Sequence, residues 1–410
     1  MTSVCILLQN FYDIDIRVRR KAEALVAAGY SVDVYALRGR NGQKNYSLKG
    51  VNVYTVSLGK KRGSLARYAF EYLAFFVWCL VRVTARMPKR RYAVVDVNTL
   101  PDFLIFAGVF ARWMGAKLVL DMHEITPEFY MSKYGIGESS WLIRILTFVE
   151  KISFKFADHV ITINEPITQL LVSRGLDQSK TTVITNAADE AQFTSYSKSA
   201  AAERAKLSTK FVMMYHGTLT CLYGLDIAIE AFAVAQSEMP GAEFWILGGG
   251  PEAENLKTLA RQRGVDGKVK LLGMVSPAEI PSWLEQSNVG VLPIRRDVFL
   301  EYASPNKLGE YIVMGKPVII SRLRAIQHYF SDQALAFFEP NDTADLAKQM
   351  IHVFRNPELR VAMPKQAKME YAPIRWEIMK QRYLSMMEAV TQPAIRAAGK
   401  SHVATTNSKT

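Results

Sequence analysis

Lys307 and Glu310, three residues apart in SPNKLGEYIVMGKPVII (304–320), share one face of any helix built there. On a plain surface they make an ion pair. At the mouth of a site, the ammonium suits a phosphate and the carboxylate suits sugar hydroxyls. His123 and Glu124 close the run KLVLDMHE, where a histidine at neutral pH donates to a substrate hydroxyl or phosphate, or simply packs. His216-Gly217-Thr218 follows FVMMY and offers bare backbone amides to an anion. Gly248-Gly249-Gly250-Pro251 follows AEFWIL as a glycine turn that would face phosphates or sugar. Asn98 and Asn164-Glu165 follow AVVDV and HVITI, although asparagine also caps helices. Asp13-Ile14-Asp15, beside Arg17, Arg19 and Arg20, either caps a helix or contacts an acceptor substrate. No His or Cys cluster has metal-ligand spacing, so no metal is expected.

These residues share one location, just after a strand-like run. VCILL, VDVYAL, AVVDVN, KLVLDM and HVITI alternate with helical stretches, and continuous apolar strands joined by helices predict a parallel sheet covered on both faces. The polar passage EAQFTSYSKSAAAERAKLSTK interrupts the alternation, which then restarts with KFVMMYHG, AEFWILGGG, KVKLLG, VGVLPI and PVIIS. The predicted fold is α/β, with two Rossmann-like, doubly wound parallel-sheet domains facing a central cleft at the carboxyl ends of their strands. The divisions expected are 1–192, a linker over 193–210, a second domain over 211–372, a helix over 373–392 that packs back on the first domain, and a disordered tail over 393–410. Ser304 suits the N-cap of the helix bearing Lys307, Pro305 its first position and Gly315 its exit. The glycine turn formally fits a dinucleotide fingerprint, but the acid that should follow the next strand is missing, since Asp266 precedes VKLLG.

Bulk composition narrows the partners. The 410 residues carry a net charge of +13, and from Arg38 to Arg91 thirteen Lys or Arg face one acid, Glu71. Such a field favours polyanions or an anionic membrane surface; without zinc-finger, RNP or basic-zipper signatures, nucleic acid is disfavoured. The stretch RYAFEYLAFFVWCLVRVTARMPKRR (67–91) joins aromatic bulk to basic ends, as an interfacial helix would, yet its apolar residues nearly encircle it, as in a buried helix. Its strongly apolar part, LAFFVWCLV, is too short to cross a bilayer. Cys5, Cys79 and Cys221 lie far apart, and the start MTSVCILLQNFYD lacks a signal-peptide pattern. The location expected is cytoplasmic, with peripheral contact at the inner face of the membrane as the expectation for the basic stretch.

In order, VVDVNTLPDFL, KLVLDMHE, YHGTLTCLYGLDIAIEAF, LGGGPEAENL, VKLLGMV and SPNKLGEYIVMGKPVII resemble the GT-B glycosyltransferases of family 4, over roughly residues 3–390. The resemblance implies a retaining enzyme that moves a hexose from a nucleotide diphosphate sugar to a glycan acceptor, of the polyprenyl-linked kind used in exopolysaccharide or lipopolysaccharide assembly. It implies that Glu310 holds the donor ribose, that Ser304, Pro305, Asn306 and Lys307 surround the diphosphate, and that Gly217 and Thr218 form a phosphate loop. Gly249 and Gly250 would line the donor, and Met274 and Val275 would read the base. His123 would lie near the transferred sugar, with Glu124, Asp15, Arg17 and Asn98 toward the acceptor. Two departures stand out: Tyr302 replaces a second glutamate, with Glu301 out of register, and Cys221-Leu222-Tyr223 replaces the usual cation before Gly224. Either Lys307, helped by Arg295 or Arg296, supplies the phosphate charge, or the protein is a non-catalytic partner subunit. An epimerase of the same fold would need carboxylates in the cleft as acid and base.

Overall fold

The computed structural model describes residues 1–39, 42–58, 65–190, 193 and 210–391. Apart from Phe193 and Lys210, the linker expected over 193–210 and the tail expected over 393–410 lie outside the described residues.

The upstream half carries β1 (Ser3–Phe11), β2 (Ser31–Leu37), β3 (Asn45–Leu48), β4 (Val51–Val56), β5 (Val94–Asn98), β6 (Lys117–Met122), β7 (His159–Thr162) and β8 (Thr181–Val183). They form one sheet in the order β3-β4-β2-β1-β5-β6-β7-β8. β1 pairs in parallel with β2 and β5, as β2 does with β4 and β5 with β6. The antiparallel hairpin β3–β4 is absent from the sequence reading. Its signal was Lys49-Gly50, both at positive φ, a two-residue turn that matches strand twist.

The downstream half carries β9 (Phe211–His216), β10 (Ala242–Leu247), β11 (Val269–Gly273), β12 (Val289–Leu292), β13 (Val318–Ser321) and β14 (Ala336–Phe338). Their order, β11-β10-β9-β12-β13-β14, is a parallel 3-2-1-4-5-6 arrangement. Order reverses between β9 and β12, so the loops leaving those strands diverge and open a crevice.

The helices upstream are α1 (Ile16–Ala27), α2 (Leu65–Arg90), α3 (Val109–Trp113), α4 (Thr126–Tyr134), α5 (Trp141–Phe156) and α6 (Glu165–Ser173). Downstream follow α7 (Leu225–Ala235), α8 (Ala253–Gln262), α9 (Ile280–Gln286), α10 (Asn306–Val313), α11 (Arg324–Gln327), α12 (Thr343–Arg355), α13 (Pro357–Tyr371) and α14 (Trp376–Thr391). The chain divides into two compact units, one of Met1–Asp121, Phe156–Val160 and Gln381–Thr410, the other of Met122–Lys155 and Ile161–Lys380. Within the first unit, Tyr383 of α14 donates to Asp96 Oδ2 at 3.0 Å. Within the second, the ring of Phe129 on α4 meets Phe299 edge to face, with centroids 5.5 Å apart.

α2 corrects the length read from LAFFVWCLV. Residues Arg67–Arg90 form one continuous helix, long and apolar enough by composition to cross a membrane, with 22% of its apolar window buried. Phe75, Cys79, Val83 and Met87 form its inward face, while Phe70, Leu73, Val77 and Val81 are exposed. Its apolar residues do nearly encircle it, but less than a quarter of that apolar window is buried.

Candidate functional site

The site grows from one strand and one helix. β9 is buried almost throughout and ends at His216, after which Gly217 takes φ +132. A Cβ at Gly217 would lie 2.1 Å from Lys307 Cε, so only glycine lets the lysine stem cross the loop. α10 reaches that loop because Leu308, Tyr311 and Ile312 are buried, and Tyr311 OH donates to Met214 O of β9 at 2.7 Å. Lys307 and Glu310, on the same helix, are thereby held at the end of β9.

The helix start differs from the sequence expectation. α10 begins at Asn306 with Pro305 in the cap position, and no side chain caps it. Ser304 is occupied elsewhere: its Oγ accepts from Asn164 Nδ2 at 2.9 Å, and the same amide group donates to Tyr302 O at 2.9 Å. A Pro at the cap position has no hydroxyl to offer the first-turn amides. They keep their capacity for an anion. Gly315, just past the helix, takes φ +66 as the expected exit.

Lys307 is surrounded by tyrosines. Its Nζ donates to Tyr215 OH at 3.0 Å and lies 3.9 Å from the centroid of the Tyr223 ring. Tyr215 OH itself donates to Thr218 O at 2.9 Å, which leaves the phenol oxygen as acceptor for the ammonium. Burial pushes the Lys307 ammonium down to about 8, only partly opposed by Glu310. One turn further on, Glu310 Oε2 lies 3.3 Å from His216 Nε2. Burial, with the Lys307 charge, pushes His216 down to about 3, so its ring is neutral at physiological pH. Nε2 makes no hydrogen bond with a described residue, so the ring stands beside the carboxylate as a neutral neighbour that takes up neither of its oxygens.

The glycine turn packs closely against the loop that follows β9. A Cβ at Gly248 would strike Gly217 O at 1.8 Å, and one at Gly250 would strike Leu219 O at 2.2 Å. Leu219 N donates to Gly249 O at 3.0 Å. The turn therefore lets two loops pack backbone to backbone, and its bare faces are filled by protein. Met274, after β11, is exposed and lays its side chain over Gly249. Val275 beside it is half-buried.

Both basic side chains considered for the missing phosphate charge are engaged. Arg295 pairs with Asp226 and donates from Nε to Cys221 O at 3.0 Å. Arg296 pairs with Glu301 at 2.7 Å and with Glu339 at 3.5 Å. Glu301 also accepts from Arg324 N at 2.9 Å, so it fastens a local turn and does not stand in for the glutamate absent at Tyr302. Among these cations, Lys307 alone meets the loop at Gly217.

The upstream candidates divide. His123 is buried after β6, and Glu124 lies near enough to Tyr223 to raise its phenol, behind the larger effect of burial. Asn164 caps α6 by accepting from Ile167 N at 2.9 Å, and Glu165 N donates to Tyr329 OH at 2.9 Å. Asp15 caps α1: its carboxylate receives Val18 N, Asn10 Nδ2 and Arg17, the last at 3.0 Å. Asn98 is buried and accepts from Lys21 Nζ at 3.4 Å. Tyr215 and Tyr223 join the site without having been singled out as site residues, and His216, expected to lead a loop of bare amides, brings its ring as well. The signal at hand was their position at and just after the end of β9.

Two family models match the chain. One, described as a glycosyl transferase 4-like domain, covers residues 14–187, and the other, glycosyl transferases group 1, covers residues 210–356. The lipopolysaccharide core biosynthesis glycosyltransferase LpsE of Rhizobium meliloti (strain 1021) is 31% identical over 147 residues, 34% of this chain and 39% of that protein. The chain thus aligns with about two fifths of that relative's length. Sucrose-phosphate synthase from Thermosynechococcus elongatus superposes with a TM-score of 0.75 at 19% identity, covering 95% of this chain and 99% of that one. Anabaena HepE in complex with UDP gives 0.70 at 14% identity, covering 95% and 100%. Both likenesses carry the fold.

Proposed function

The chain belongs to the GT-B glycosyltransferases, and from that premise we propose that it moves a hexose from a nucleotide diphosphate sugar to a glycan acceptor, with retention. In this reading it is a family-4 type enzyme, the acceptor is a polyprenyl-linked glycan, and the work is done at the inner face of the membrane. The relative that builds lipopolysaccharide core and the UDP bound to HepE support a role in cell-surface glycan assembly and a nucleotide donor. One observation carries the proposal: Lys307 lies across Gly217 beside the uncapped start of α10, with Glu310 one turn deeper on the same helix.

The arrangement suits a diphosphate on Lys307 and the helix amides, and ribose hydroxyls on Glu310, beside the neutral ring of His216. As the sugar leaves, negative charge grows on the diphosphate, and donors already in place stabilise the transition state more than the ground state. The leaving diphosphate takes the acceptor proton on the same face, so the sugar–phosphate bond breaks as the new glycosidic bond forms. His123 positions the acceptor, and no resident metal is required to offset the charge.

A non-catalytic partner subunit is the second reading, favoured because the loop Leu219–Asp226 brings no cation and Arg295 and Arg296 are held by carboxylates. Calorimetry with UDP and GDP, together with hydrolysis of UDP-hexose and GDP-hexose, separates the two. The transferase reading expects binding and turnover in wild type, loss of both in Lys307→Ala, weaker binding in Glu310→Ala, and no effect of a chelator. Binding of neither nucleotide would overturn it.

A further inference from the structure

α5 carries an apolar row on its solvent side as well as apolar residues on its buried side. Trp141, Ile145, Phe148 and Ile152 follow one another at four, three and four residues, which places them in one row along the helix. That row faces solvent, at 72%, 49%, 62% and 36% exposure. The opposite side buries Ile143 and Phe154 together with two polar residues, Glu150, which receives Arg174 NH1 at 3.0 Å, and Ser153. Burial is therefore not what the apolar row is for.

Charge says what covers it. Arg144, Lys151 and Lys155, at spacings of seven and four, form a second row alongside the apolar one. None of the three makes an ion pair with a described residue. The only acid of the helix, Glu150, is turned inward, and the nearest exposed acid, Glu138, precedes the helix by three residues. Lysine is depleted in the centre of protein–protein interfaces, whereas aromatic and aliphatic residues beside lysine stems suit the headgroup boundary of a bilayer. α2 differs in this respect. Three of its five cations are taken up within its own unit, Arg67 by Glu71 at 3.0 Å, Arg86 by the ring of Tyr54 at 3.7 Å and Arg90 by Asp33 at 2.6 Å.

We propose that α5 is a lipid-docking helix, which lies in the plane of an anionic bilayer with the Trp141–Ile152 row in the acyl boundary and Arg144, Lys151 and Lys155 on lipid phosphates. At about 1.5 Å per residue it would lie along roughly 24 Å of surface. The inference rests on the membrane-surface part of the proposed function and gives it a defined site, separate from the basic stretch around α2.

The test is co-sedimentation of the full chain with phosphatidylcholine vesicles, with and without phosphatidylglycerol. Wild type is expected to bind only the anionic vesicles, and less so at high salt. The variants Ile145→Asp/Phe148→Asp and Lys151→Glu/Lys155→Glu are expected to lose about tenfold or more in partitioning. Leu73→Asp/Val77→Asp on α2 should keep most of it. Unchanged binding by both α5 variants would overturn the proposal, as would absence of binding by wild type. So would a dimer in light scattering that the α5 variants dissolve, since the face would then be covered by a second copy. UDP or GDP binding is measured on the same samples. Failure of docking with nucleotide binding intact removes the lipid site and leaves the transferase reading standing.

Discussion

Lys21 and Lys307 are both pushed down to about 8 by burial, yet they stand in opposite company. Lys21, on α1, pairs with Asp121 and donates to Asn98 Oδ1 at 3.4 Å; the nearby Asp96, itself raised by burial, receives Tyr383 OH. Carboxylates and amides enclose it within its own unit, and its charge is answered by protein. Lys307 meets a phenol oxygen and an aromatic face, with a single carboxylate, Glu310, one turn away. The first lysine fastens a fold. The second holds a charge against rings that hold it weakly, which is the condition for giving it to a ligand. A depressed lysine alone does not mark a site; the partners do.

Removing the first lysine should produce the largest effect. Lys21→Ala leaves Asp96 and Asp121 buried without their cation, at a cost of about 3–5 kcal/mol, read as a lower midpoint in urea unfolding. Nucleotide affinity of the folded fraction should stay unchanged. Equal stability of the variant would show that the carboxylates take up protons instead, and the contrast between the two lysines would fail.

For Lys307 the order is reversed. Lys307→Ala should fold normally and lose about a hundredfold in donor turnover, roughly 2.7 kcal/mol of transition-state stabilisation. Its protonation gives a sharper reading. The free ammonium is depressed to about 8, and a bound diphosphate favours the charged form. Nucleotide affinity should therefore be full below pH 8 and fall by about tenfold per unit above it, with proton uptake on binding. Lys307→Arg should abolish that limb, because guanidinium stays charged. A flat profile for wild type up to pH 10 would place the diphosphate elsewhere. His216, held neutral, should add no step between pH 5 and 8.

The smallest effect concerns the aromatic wall. Tyr223→Leu removes a cation–π contact of about 0.5–1 kcal/mol and admits water, so affinity should drop a few-fold while the pH limb moves upward. A downward move would mean that the ring stabilises the charge more than its exclusion of water opposes it.

Much of this was legible in the chain. The alternation of apolar runs with helical stretches gave the two parallel sheets, and the three-residue spacing put Lys307 and Glu310 on one face. The hairpin β3–β4 went unseen because its strand VNVYTV is only half-buried and its turn signal is a single Lys49-Gly50 pair. Ser304 looked like a cap because capping is read locally, whereas its hydroxyl answers Asn164, 140 residues away. The close packing of the glycine turn on the loop after β9 was not legible, because sequence cannot tell which neighbour meets a bare backbone face. The tyrosines around Lys307 were invisible for the same reason, Tyr215 being 92 residues distant.

By itself the sequence determined periods, caps and the faces that residues share, since these follow from sterics within a turn or two of chain. α5 shows where that ends. The row Trp141-Ile145-Phe148-Ile152 is plain in the spacing, and spacing alone would turn it inward. Only the tertiary structure decided that Glu150 faces Arg174 and the apolar row faces out, because the direction of a face depends on which distant elements it meets.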